Sequence, residues 1–142
     1  MEEFIQSIAK QLGISEDVAK SITSKILGLV KGKLGDSDFS SLASKIPEAD
    51  KLAAESAEAS EDSGGGGGLL GSLTKMASSA IGGEAGEGLE IAGVMKSAGL
   101  DTEKGASFLS KLVEFIKDKA GDQVVNQITD KIPALKSVLG SG

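Results

Sequence analysis

Two Ser-x-x-Lys pairs, Ser7/Lys10 and Ser72/Lys75, are the first residues whose types and spacing could do chemistry. In acyl-transfer enzymes such a lysine activates the serine hydroxyl. The Ser-Asp-Asn and Lys-Thr-Gly elements that accompany the pair there are missing here, and a chain rich in Ser and Lys produces such pairs by chance. Asp36 and Asp38 form an Asp-x-Asp pair, but a calcium loop needs more oxygen ligands and a specific glycine turn. The run Asp36-Ser37-Asp38-Phe39 becomes apolar too soon, so Asp36 and its later counterpart Asp122 are expected to be helix caps. Gly66 to Gly71 has the G-x-x-x-x-G spacing of a phosphate loop, yet Ser72-Leu73 follows where Lys-Ser/Thr is required. Lys25, Lys31 and Lys33, mirrored by Lys111, Lys117 and Lys119, could meet an anionic partner. Their acidic neighbours point instead to a solvated helix face.

Composition narrows the chemistry further. The 142 residues include no Cys, His, Tyr or Trp, and all fifteen basic residues are Lys. Thiolate chemistry, imidazole acid–base catalysis and the bidentate guanidinium fork are therefore unavailable. No catalytic residue, cofactor or metal is expected. The net charge is -6, so no basic face is available to neutralise phosphates, and nucleic acid is not an expected partner. Residues 1–62 carry twelve acidic residues against seven Lys, whereas residues 89–142 carry seven of each. The neutral, apolar second half is the expected interaction surface.

The elements that must position these residues are helical. Phe4, Ile5, Ile8 and Leu12 recur at helical spacing, and Gly13 stops that helix. Ser15 caps a second helix whose face is Val18, Ile22, Ile26, Leu29 and Val30. Gly35-Asp36-Ser37 breaks it, a short helix carries Phe39, Leu42, Ala43 and Ile46, and Pro47 turns the chain into another helix ending near Ser60. Five glycines, Gly64 to Gly68, form a linker. Leu69 to Ile81 reads as an amphipathic helix with Leu69, Leu70, Leu73, Met76 and Ile81 on its apolar side. Gly82-Gly83 ends it, and Gly86 and Gly88 are expected to keep the next link loose. Leu89, Ile91, Ala92, Met95 and Ala98 then supply a face, Gly99 stops it, and Asp101 caps a helix carrying Phe108, Leu109, Leu112, Phe115, Ile116 and Ala120. Gly121-Asp122, Val124 to Ile132 and Pro133 close the series.

The second series echoes the first. A shift of 86 residues pairs Gly13 with Gly99, Gly35-Asp36 with Gly121-Asp122, and Lys45-Ile46-Pro47 with Lys131-Ile132-Pro133. Stops, caps and corners recur while the face residues diverge. The expected fold is all-α: a pseudo-symmetric bundle of two three-to-four-helix units, residues 1–62 and 89–142. They are joined by a Gly-rich linker, residues 63–88, with a central helix over 69–81.

Gln11-Leu12-Gly13-Ile14-Ser15, Leu34-Gly35-Asp36-Ser37-Asp38-Phe39-Ser40-Ser41-Leu42 and Ile46-Pro47 resemble the VcgC/VcgE family of uncharacterised bacterial proteins, as do Leu69-Leu70-Gly71 and Ala98-Gly99-Leu100. The resemblance implies a small bacterial helical protein and transfers no site residue. It also implies export for many members, whereas Met1-Glu2-Glu3, followed at once by an amphipathic pattern, has no secretory leader's character. A soluble, cytoplasmic protein is the expectation, with the reservation that a removed leader leaves no trace.

The expected function is a non-enzymatic helical interaction module, working through self-association or a protein partner. Its expected surface is Leu69, Leu70, Leu73, Met76 and Ile81 with Phe108 and Phe115. The alternative is a carrier of lipid or a small apolar ligand, or a binder of membrane surfaces. An enzyme built on Lys and carboxylates alone ranks last.

Overall fold

A computed structural model of the chain describes residues 1–61 and 84–140, and every element among them is helical. In chain order these are α1 (Glu2–Leu12), α2 (Glu16–Lys45), α3 (Pro47–Glu61), α4 (Glu84–Ser97), α5 (Thr102–Ala120), α6 (Asp122–Lys131) and α7 (Pro133–Gly140).

Local chemistry sets the boundaries. Gly13 ends α1 at φ 67° and Gly99 follows α4 at φ 78°, a left-handed geometry that a Cβ would oppose. Each lets the next residue reach back: the Ile14 N–H donates to the Ala9 carbonyl and the Leu100 N–H to that of Met95, both at 3.0 Å. The helices that follow are capped as their sequences require. The Val18 N–H donates to Ser15 Oγ at 3.2 Å and the Lys104 N–H to Asp101 Oδ1 at 2.8 Å. Ile46 (φ -129°, ψ 82°) and Ile132 (φ -126°, ψ 79°) lie off the helical region, and Pro47 and Pro133 then open α3 and α7.

Three expectations need correcting. The break at Gly35 is a single residue wide: Gly35 (φ 79°, ψ 165°) kinks α2, and helix resumes directly after it. Asp122 does not cap α6. Gly121 (φ 90°, ψ 167°) holds the cap position without a side-chain bond, and Asp122 is the first helical residue, its carboxylate 2.9 Å from Lys117 Nζ. Gly86 and Gly88 are not in a loose link but inside α4, which begins at Glu84.

The buried residues form one core shared by both halves of the chain. α1 packs on both α2 and α5, while α4 packs on both α5 and α2, so the first helix of each half crosses onto the long helix of the other. Phe4 carries the first crossing. Its ring meets Phe108 edge-on at 5.9 Å and Phe115 at 5.1 Å, tilted by 37°. Such pairs contribute about 0.5–1.5 kcal/mol each beyond their burial. α2 is surrounded, with α1, α3, α4, α5 and α6 all against it. Its buried set therefore spreads beyond the expected stripe to Ala19, Thr23, Ser24 and Leu27. The Thr23 hydroxyl donates to the Ala19 carbonyl at 2.7 Å, which satisfies it without a tertiary partner.

Candidate functional site

The second half of the chain holds an apolar groove of about 580 Å³ where α4, α5 and α7 meet. α4 supplies Gly88, Ile91, Ala92 and Met95; α5 supplies Thr102, Gly105, Ala106 and Leu109. Both sets follow the i, i+3, i+4, i+7 spacing that puts residues on one face of a helix. The two faces converge on the Gly99–Leu100 corner, where Leu100 closes one end, and Ala134 of α7 adds a further wall. Ile91, Met95, Leu100 and Leu109 form a buried floor, while Ala92 and Ala106 stand exposed on the walls. A Cβ at Gly105 would lie 3.2 Å from Met95 Cγ, so the Met95 side chain would have to give by a few tenths of an ångström.

Polar groups in the groove are confined to Lys96, Asp101 and Thr102. Asp101 is already committed to its cap. A cleft with this lining removes apolar surface from water, by roughly 25 cal/mol for each Å² covered. Among the described residues no group of three or more His, Cys, Asp or Glu comes together as a metal site would require.

Leu69, Leu70, Leu73, Met76 and Ile81, with the helix drawn over them, lie outside the described residues. Phe108 is fully buried against Phe4 and serves the core, not a surface. Phe115 is half-buried, with Lys119 Nζ 5.9 Å from its ring centre, and edges a shallow cleft between α1 and α5. Leu89, expected on the inner face of α4, is 56% exposed beside the groove, and Ala92 is exposed on its wall. In the sequence the groove leaves only small residues at Gly88, Ala92, Gly105 and Ala106, and a small residue fits a core as well as a wall.

Of the two Ser-x-x-Lys pairs, Ser72/Lys75 lies outside the described residues. Ser7 accepts a hydrogen bond from Gln11 Nε2 at 3.2 Å, and Lys10 is exposed on the same helix. Lys31 pairs with Asp50 at 3.0 Å and lies 5.5 Å from the Phe39 ring centre.

No described helix is long and apolar enough to cross a membrane. Neither the curated proteins nor the solved structures contain a match to this chain. A family model does match: the one described as protein of unknown function VcgC/VcgE (DUF2780) covers residues 1–140, and the chain belongs to that family.

Proposed function

We propose that the chain is a non-enzymatic helical interaction module, and that the groove between α4, α5 and α7 receives an apolar helix through self-association or from a protein partner. The observation that carries this reading is the groove itself: two helical faces of small residues over an apolar floor. Small walls let a third helix approach closely, and ridges of larger side chains can fill the space between them. The module is built as two pseudo-symmetric units of three to four helices. Support for that comes from matching backbone angles at Gly13/Gly99, Gly35/Gly121 and Ile46/Ile132 and from the reciprocal crossings of α1 and α4.

The test is to give the groove the residues found 86 positions earlier, as Ala92→Gln, Ala106→Lys and Ala134→Glu together. Sedimentation velocity and partner capture are compared for this variant and the wild type. Assembly or capture by the wild type that the variant loses supports the reading. A wild type that is a strict monomer and retains nothing, or a variant that behaves identically, overturns it.

The volume of the groove favours one second reading. Sites for small molecules commonly enclose roughly 300–1,000 Å³ with mostly apolar walls, and this one, at about 580 Å³, falls inside that range. A lipid or small apolar ligand would then co-purify and appear by native mass spectrometry. An empty protein that also fails to float with liposomes rules this out.

A further inference from the structure

We infer that the helix received by the groove is the chain's own segment Leu69–Ile81, seated within the same molecule. This rests on the reading of the groove as a helix-binding surface and names its occupant in the free chain, which a second copy or a partner's helix displaces on assembly. Reach is the first support. The chain re-enters the described structure at Glu84, and the groove begins at Gly88, one helical turn later. Gly82-Gly83 separate the segment from α4, the two-residue length that antiparallel helical hairpins use.

Length is the second. Thirteen residues make a helix of about 20 Å, and the fourteen residues of α4 make about 21 Å. A segment folded back at Gly82-Gly83 therefore spans the α4 wall and ends near the Leu100 corner. Chemistry is the third. The walls offer Ala92, Gly105 and Ala106 with no bulk of their own, while the segment brings Leu69, Leu70, Leu73, Met76 and Ile81 at helical spacing. The first half supplies the contrast. There α3 packs along α2, whereas the groove beside α5 stays open among the described residues.

The absence of cysteine and the presence of only three methionines, Met1, Met76 and Met95, make a direct test available. Met76→Cys in the full chain carries a nitroxide, and the Met95 methyl group on the groove floor is observed by carbon-13 methyl NMR. The expected result is loss of most of the Met95 signal, unchanged on dilution. It should be absent when spin-labelled chains without carbon-13 are mixed with carbon-13 chains without the label. Broadening only in the mixed sample places a second copy's segment in the groove and overturns the proposal, as does no broadening in either. A full-chain Leu73→Asp, Met76→Asp variant, titrated with a spin-labelled peptide of residues 69–81, separates the two levels. A peptide that broadens Met95 there, after no broadening in the labelled chain, removes the intramolecular occupant and keeps the groove's function. A peptide without effect in that case removes both. Should the labelled chain fail to fold, the Met95 methyl shift between wild type and the double Asp variant decides: a shift is expected, and an identical resonance overturns the proposal.

Discussion

Between α1, α2 and α3 lies a cleft of about 340 Å³ whose walls carry Glu2, Gln6, Lys20 and Glu48. Eighty-six positions on, the equivalent places around the groove are Gly88, Ala92, Ala106 and Ala134. Ile5 and Ile91 stand at the same place in each. The first cleft closes on itself with charge: Lys20 pairs with Glu55 at 3.1 Å, and the Met1 amino group pairs with Glu48. The second leaves apolar walls with nothing of its own among the described residues to cover them. The two clefts thus present opposite surfaces. The corners depend on glycine, proline and caps, which the substitutions around the mouth do not touch.

The core separates the halves most sharply. Phe4 is buried between Phe108 and Phe115, while its counterpart Glu90 is only half-buried. Phe4→Ala is expected to cost about 3–5 kcal/mol in urea unfolding, and Glu90→Ala to stay within about 0.5 kcal/mol of wild type. Comparable losses at both positions would mean that the two crossings bear equal weight.

Backbone corners should show the opposite, a likeness between halves. Gly35 and Gly121 combine positive φ with ψ near 165°, a region nearly closed to side chains, so alanine at either should cost about 1–3 kcal/mol. Gly13→Ala and Gly99→Ala enter the milder left-handed region at about 1–2 kcal/mol. Thermal unfolding of the four variants checks whether the losses sort by corner type, as expected, or by half.

The smallest effect lies in the charged cleft. Lys20 and Glu55 are each about half exposed, so Lys20→Ala should cost no more than about 1 kcal/mol. The loss should shrink as salt is raised. A larger, salt-insensitive loss would show that the lysine stem packs the cleft.

The parts legible in the sequence were those decided locally. Gly13, Ser15, Pro47, Gly99, Asp101 and Pro133 act on their own neighbours' backbone, and each stands where its chemistry requires. Residues whose fate depends on what packs beside them were harder to read. Leu27 and Val113 are buried because further helices cover second faces of α2 and α5, and a single-stripe reading omits them. Leu89 fits the apolar period of α4 but faces outward, since α4 meets α2, α5 and α7 on other sides. Phe108, read as surface, is drawn inward by Phe4 from the far end of the chain. The groove was illegible for the same reason: it exists only where two helices and a third diverge.

The crossing of α1 onto α5 bears on how the chain assembles. Phe4 finds its ring partners in the other half, after the whole glycine run has been traversed. Closing so long a loop costs entropy before any contact rewards it, although the cost grows only with the logarithm of its length. The two halves that the glycines make look divisible therefore share one core. A cut there would leave α1 without the rings that bury Phe4 and α2 without α4.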